Sequence, residues 1–452
     1  MKTRYLIMSL MVALSLCACG TDNDDEVIGG KPLEELKTDD PDPVKPEEPE
    51  KPEEPEEPSE PEEPVTRHSY KPVVLNEVQQ AIHVKLQSFS WKLFKEVYLN
   101  REPGTNLMIS PISLEVDLGM FINGLEGKTL QEVLKAMGLE GFTKEQINDF
   151  FKTMMTGIEK ADEAAIFKSA NAFWYNQNKK ANQDFLSVIK DKYDAKAEAV
   201  NFSDPTTKDI INAWCSEKTN KRIEKMLDDT DEHHLFHLMN AVYFKAQWEE
   251  QFVKEFTQKQ PFHYANGKIA DVDMMYQQFN TSYAETDKYQ QCVKPFVDGS
   301  FQMVFILPKE GVDLVDVIPD SIDYKVRATA EVYPGKPEWE EVALSVPKFT
   351  SEYTEENLFP YMGNINPSLT FLPEDMKFFE NPLSDVELKA LQKTFFLMDE
   401  EGAEAAAITD IMMKDTAFFP EKVFYMTLDR PFIYAIIESN TQCPLFIGYY
   451  GN

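Results

Sequence analysis

The sequence predicts an α+β protein, and three observations carry that prediction. Apolar residues recur at a helical period in the first half of the chain, and strand-like runs dominate the second half. The two kinds of segment are segregated along the chain, which argues against repeated βαβ units. No internal repeat is visible.

The first nineteen residues read as a processing signal, not as structure. Lys2 and Arg4 supply a positive start, and Tyr5–Leu16 is an apolar run too short to span a bilayer as a stable helix. It ends in L-C-A-C-G, which resembles a bacterial lipoprotein signal with Cys19 as the lipidated residue. Cys17 is the rival, though Leu16 before it suits a small-residue cleavage site poorly, and an ordinary secretory peptide is the plainer alternative. The acidic run Asp22–Glu26 is similar to surface-export signals of some Gram-negative lipoproteins. The expected location is therefore an outer-membrane anchor at the cell surface, with the periplasmic face as the alternative.

Residues 20–70 form an acidic Pro/Glu-rich stalk. Prolines fall at every third position from Pro43 to Pro64. Polyproline II has three residues per turn, so the prolines line one edge while the glutamates keep the rod soluble and extended. At about 3.1 Å per residue this segment reaches roughly 65 Å. Flanking acids in place of arginines favour a spacer over a proline-motif ligand.

Residues 71–452 are the working domain. Val74–Tyr98 places Ile82, Leu86, Phe89, Leu93 and Val97 on one helical face, and Leu114–Leu139 and Ile147–Ala161 also read as helices. From Leu238 onward β character dominates. The runs F-Q-M-V-F-I-L-P (301–308), V-A-L-S-V-P-K-F (342–349), F-I-Y-A-I-I (432–437) and P-L-F-I-G-Y-Y (444–450) are strands, the last two a hairpin turning near Asn440.

Composition excludes several functions. The formal charge is -33 and the pI about 4.6, so nucleic acid is not an expected partner. Cys215, Cys292 and Cys443 give no disulfide framework and no C-x-x-C metal pattern, though a single bridge among them stays open. His233, His234 and His237 cluster in D-E-H-H-L-F-H-L; a polar loop leading into a strand explains them better than a ligand set. There is no G-x-S-x-G elbow, no phosphate-binding glycine loop and no H-E-x-x-H. No catalytic constellation, metal or cofactor is expected.

One stretch is unusual. Asp399–Thr409 reads D-E-E-G-A-E-A-A-A-I-T, with Gly402 interrupting what would otherwise suggest a helix. Read as a strand, one face carries Ala403, Ala405, Ala407, Thr409, Ile411 and Met413, and the other Glu404, Ala406, Ile408, Asp410, Met412 and Lys414. Small residues on the inward face lower the barrier to slipping between existing strands, whereas a permanently buried strand is richer in Val and Ile. A surface helix followed by a loop is the alternative.

E-E-G-A-E-A-A-A-I-T resembles the hinge of the serpin family. N-L-M-I-S-P-I-S-L (106–114), I-N-A-W-C-S-E-K-T-N (211–220), N-A-V-Y-F-K-A-Q-W (240–248), L-S-V-P-K-F (344–349) and D-R-P-F-I-Y (429–434) resemble further serpin markers in the family's order, over essentially all of residues 75–452. The resemblance implies three β-sheets, eight or nine helices and an exposed reactive-centre loop. It implies a monomer that is not an enzyme but a suicide inhibitor, forming a covalent complex with a trypsin-, elastase- or chymotrypsin-like serine protease, and touching membrane only through its anchor. A non-inhibitory serpin acting as a surface binding protein is the second reading, and a structural envelope lipoprotein the third.

The resemblance also assigns residues. Glu400, Glu401, Gly402, Ala403, Glu404, Ala405, Ala406, Ala407 and Thr409 form the hinge, with Ala403 where the family commonly has Thr. Family spacing places the reactive bond at Thr416–Ala417. Met413, Lys414, Phe418 and Phe419 stay open as alternatives, because the region before D-R-P-F is longer than usual. Ser110, Ser113 and Asn240 fall in the shutter beneath the opening strands, with Gln392 where many members have His. Trp248 falls at the breach, where insertion begins, and Glu400 with Lys294 matches an ion pair at the loop base.

Overall fold

The computed structural model describes residues 70–318, 340–383, 388–403 and 423–452. Cys19, the proline stalk, hinge residues 404–409 and every candidate for the reactive bond lie outside the described residues.

Helix α1 (Glu77–Asn100) opens on a capping box, in which Asn76 accepts from the Gln79 N–H and Gln79 reaches back to Asn76. Its face Ile82, Leu86, Phe89, Leu93 and Val97 is buried, as the spacing requires. Strand β1 (Leu107–Ile109) leads into α2 (Pro111–Phe121), with Pro111 at the first helical position, where its missing N–H costs nothing.

The single helix expected over 114–139 is two, because α3 (Gly127–Met137) follows a short 3₁₀ turn at Ile122–Gly124. Gly124 lies against the Phe378 ring with no room for a Cβ, and Gly127 takes φ +58°, which a continuous helix cannot contain. Helix α4 (Lys144–Glu159) follows, capped by Thr143.

The first half holds strands among its helices, a second departure from the expected order of helices first and strands later. Strand β2 (Ile166–Asn176), α5 (Gln183–Tyr193), β3 (Lys196–Val200) and α6 (Thr207–Lys218) precede β4 (Phe236–Gln247). Strand β2 alternates weakly along its sequence and is fixed by ten antiparallel pairs with β4, which periodicity does not reveal.

The strands β5 (Gln258–His263), β6 (Ile269–Thr281), β7 (Tyr283–Glu285), β8 (Tyr289–Pro295) and β9 (Phe301–Pro308) come next. The run 342–349 divides at Pro347 and Lys348 into β10 (Glu340–Pro347) and β11 (Phe349–Glu355), which join different sheets. Helix α7 (Phe359–Ile365) precedes β12 (Gln392–Met398), the two-residue β13 (Gly402–Ala403) and β14 (Val423–Thr427). The expected hairpin is β15 (Phe432–Glu438) with β16 (Pro444–Tyr450). Its turn is tied by the Glu438 carboxylate, which accepts from the Asn440 and Thr441 N–H groups.

Three sheets result, in the orders β1-β16-β15-β9-β8-β7, β14-β10-β6-β5 and β11-β12-β13-β4-β2-β3. The described residues hold seven α-helices. The third sheet matters most here, since among the described residues Gly402 and Ala403 stand at its middle place.

Candidate functional site: the hinge and the sheet beneath it

Sequence places Trp248 directly after β4 and Asp399–Glu401 directly after β12, and the fold brings them together. The Trp248 indole N–H donates to the Asp399 carbonyl at 2.9 Å, and the Trp248 backbone N–H donates to Glu401 O at 2.9 Å. The ring lies flat on Phe296, with centroids 4.4 Å apart. The chain then reverses at Asp399, whose Oδ1 accepts from the N–H groups of Glu401 (2.9 Å) and Gly402 (3.2 Å).

Gly402 takes φ +155°, and a Cβ there would stand 2.2 Å from the Ala246 carbonyl oxygen. Only glycine fits so close to the neighbouring backbone. Ala403 is fully buried and pairs with Ala246 on β4 and Met398 on β12, antiparallel to both. The hinge segment therefore begins as a strand between β12 and β4.

The two hinge glutamates are tethered. Glu400 accepts from Lys348 Nζ at 2.7 Å and from Thr257 Oγ1 at 2.9 Å. Burial pushes its carboxyl upward, but these bonds and its own backbone N–H outweigh that and hold it below the usual carboxylate range. Glu401 accepts from Lys254 at 2.6 Å.

The expected Glu400–Lys294 pair is not formed. Lys294 is buried and donates to the Glu250 carbonyl at 2.9 Å and to the Gln277 side-chain oxygen. It is also enclosed by the rings of Phe252, Phe279 and Trp248, at 4.4, 4.4 and 5.4 Å. Burial lowers its pKa to about 7. Lys348 carries the ion pair because the break after Pro347 turns it towards the hinge. That lysine stands in the L-S-V-P-K-F marker, the one signal from which the sequence could have indicated it.

Further down the sheet, Ser110, Gln392, Ser113 and Asn240 form one polar layer between α2 and the strands. Gln392 donates to Ser110 O and accepts from the Ser110 N–H, both at 2.9 Å, and Ser110 Oγ donates to Leu445 O at 2.8 Å. An amide with both a donor and an acceptor thus bridges a single backbone residue. Asn240 Nδ2 donates to Ser169 Oγ (2.6 Å) and Asn171 Oδ1 (2.7 Å), leaving its own Oδ1 buried without a partner. Ser169 and Asn171, which sequence reasoning passed over, belong to this layer through the β2–β4 pairing.

A cavity of about 840 Å³ opens between α2 and the ends of β4 and β12 far from the hinge, lined by Ser113, Asp117, Leu238, Asn240, Ala390 and Gln392 among others. His234 and His237 border it, 3.3 Å apart between ring nitrogens and edge-on to Phe202. Burial lowers the His237 pKa to about 4, so its ring is neutral at pH 7. Among the described residues no group of three or more His, Cys, Asp or Glu is arranged to hold a metal. Cys215, Cys292 and Cys443 are buried free thiols, which settles the open question of a bridge.

Three β-sheets with helices segregated from them, and Gly402–Ala403 seated between β12 and β4 of the third sheet, define a serpin-type α+β fold. The family model for serpin (serine protease inhibitor) matches residues 84–452, and this chain belongs to that family of inhibitors rather than enzymes, some members of which do not inhibit. Serine protease inhibitor 42Dd of Drosophila melanogaster is 27% identical over 372 residues, covering 80% of this chain and 96% of that one. An uncharacterized serpin-like protein of Thermococcus kodakarensis is 29% identical, covering 83% and 87%. Among solved structures, the thermophilic serpin tengpin in its native state is 30% identical with a TM-score of 0.72, covering 85% of this chain and 97% of that one. The same serpin in its latent state gives 0.68 at 29% identity, covering 84% and 99%.

Proposed function

We propose that this serpin is a suicide inhibitor of serine proteases, with cysteine proteases as a second class the same trap would hold. The observation that carries the reading is the seating of Gly402–Ala403 between β12 and β4. Continuing that register sets Ala405 between Phe244 and Phe396, Ala407 between Val242 and Thr394, and Thr409 between Asn240 and Gln392. Small side chains thus meet large ones. The Thr409 hydroxyl arrives at the buried Asn240 oxygen that lacks a donor.

A target protease attacks the loop as substrate. Its serine forms an ester with the carbonyl of the residue before the cut, and the amine of the next residue leaves with the proton. The freed segment then completes the strand. Each backbone hydrogen bond is worth about 0.5–1.5 kcal/mol net, so pairing some ten residues on both sides yields on the order of 10 kcal/mol. The acyl-enzyme is carried along and distorted before water resolves the ester.

The register also favours Thr416–Ala417 over a cut after Met413 or Lys414. Strand β4 ends at Phe236, opposite Met413, so residues 402–413 fill the sheet and 414–416 reach past its end. Cutting at Thr416–Ala417 gives the protease that short tether, whereas cutting after Met413 leaves none and after Lys414 a single residue. Thr416 suits elastase-like enzymes, Lys414 would attract trypsin-like ones, and Met413, Phe418 or Phe419 chymotrypsin-like ones. We further propose that Cys19 anchors the protein by lipid and that residues 20–70 hold the inhibitor off the outer surface.

Incubation with trypsin, chymotrypsin and elastase should give a covalent complex that survives SDS, and the cleaved protein should melt well above the intact one. Loop cleavage with no complex would rule out inhibition and favour a binding role. N-terminal sequencing of the released fragment reads the bond directly.

A further inference from the structure

The D-E-H-H-L-F-H-L segment leads into β4, as its sequence reads, but it folds more tightly than a connecting loop requires. His237 stands near the start of β4 and His234 in the turn before it. That turn is fastened on both sides. Asp231 Oδ1 accepts from the His233 N–H at 2.7 Å, and Asp231 O accepts from the His234 N–H at 3.1 Å. The His234 carbonyl accepts from Asn176 Nδ2 at 3.1 Å. Phe202 lies edge-on to both imidazoles, with ring centroids 5.8 and 5.3 Å away, which restricts their rotation.

Two ring nitrogens are brought face to face as a result. His234 Nδ1 and His237 Nε2 are 3.3 Å apart, with the ring planes at 88°. Two imidazole nitrogens, each about 2.0–2.1 Å from one tetrahedral ion, stand about 3.4 Å from each other. The pair is therefore already at the spacing of two ligands. His234 also meets a carboxylate at its far nitrogen, with Nε2 3.7 Å from Asp231 Oδ2. A carboxylate in that position keeps the proton on the far nitrogen and leaves a lone pair on the near one. Burial keeps the His237 ring neutral at pH 7, so it offers a lone pair and no opposing charge. The His234 side chain is 34% exposed, so solvent reaches the pair.

We propose that His234 Nδ1 and His237 Nε2 form a two-nitrogen site for a late first-row divalent metal ion, with Asp231 as its outer carboxylate and water completing the coordination. Imidazole pairs select Cu(II), Ni(II) and Zn(II) over Mg(II) and Ca(II), and Cu(II) binds most tightly of these. Both rings bind as neutral imidazoles. His234 keeps its proton on Nε2, facing Asp231, and His237 keeps its proton on Nδ1. The hydrogen bond between the rings is exchanged for two metal bonds, and no proton is released. Asp231 is a positioning residue, since it acts through His234. The site does not depend on the protease trap.

The test titrates copper(II) sulfate into the purified full chain. The electron paramagnetic resonance spectrum should be split by two nitrogens, and Zn(II) should compete for the same place. Trp174 pairs with His237 across the β2–β4 ladder, so bound Cu(II) should also quench tryptophan fluorescence. Asp231→Asn should weaken binding about tenfold while both nitrogens stay in the spectrum, which a merely structural role would not give. His234→Gln and His237→Gln should each weaken binding further and remove one nitrogen. His234→Gln, at the more exposed position, serves if His237→Gln fails to fold. His233→Gln should bind as the parent does. Parent-like affinity in His234→Gln, or a spectrum with oxygen donors alone, would place Cu(II) on the chain's many carboxylates and overturn the site.

Discussion

Lys348 donates to the Glu400 carboxylate at 2.7 Å, joining the start of β11 to the turn that begins the hinge. Thr257 shares the same carboxylate, so three segments of the chain meet there. Lys348 is 44% exposed, which screens the pair and limits its worth to about 1 kcal/mol. In a urea-denaturation double-mutant cycle, Lys348→Ala and Glu400→Ala should be coupled by about that amount. Lys294→Met and Glu400→Ala should instead add independently, and coupling of the latter pair would return the ion pair to Lys294.

Gly402 tolerates no side chain as placed. Gly402→Ala should destabilise the intact protein by about 1–3 kcal/mol, from backbone strain and the clash with Ala246 O. A melting temperature equal to the parent's would mean that the hinge does not sit between β12 and β4 in solution.

Under the proposed trap, the residues following Ala403 set the outcome of cleavage. Ala405→Arg would bring an unpaired charge between Phe244 and Phe396, both buried. The variant should still be cut by the target protease but release it, turning inhibitor into substrate. Stoichiometry of inhibition, read by titrating residual protease activity, should rise many-fold. An unchanged value would contradict insertion along this register.

Glu115 gives a pH signature. Burial raises its carboxyl to about 8, against the Ser90 hydrogen bond at 2.6 Å. Between the ordinary carboxylate pKa and pH 8 the folded state keeps a proton that the unfolded chain has lost, so this group makes stability fall as pH rises through that window. Glu115→Gln keeps the contact with Ser90 and cannot ionise. Its gain in stability over the parent should be small at pH 5 and larger at pH 8, measured by chemical denaturation at both values. A constant difference would show that Glu115 does not titrate as its burial requires.

Local pattern carried much of this protein. The stripe from Ile82 to Val97 specified α1, because a helix repeats its buried face within one turn and the signal needs no partner. The runs 301–308, 432–437 and 444–450 were legible for a related reason, being apolar on both faces and bounded by turn residues. The row of small residues after Gly402 alternates in the sequence, and beyond Ala403 it lies outside the described residues.

The tertiary structure decided what depends on residues far apart in the chain. It chose Lys348 over Lys294, divided 342–349 between two sheets, and made Ile166–Asn176 a strand through its ladder with β4. It also set Asp117 at the wall of the cavity between α2 and β4, where the helix sequence shows only an acid among apolar residues. A periodic sequence states which face of a segment is buried, but not what lies against that face. Ion pairs, strand neighbours and buried carboxylates are fixed only when packing brings distant segments within a few ångströms.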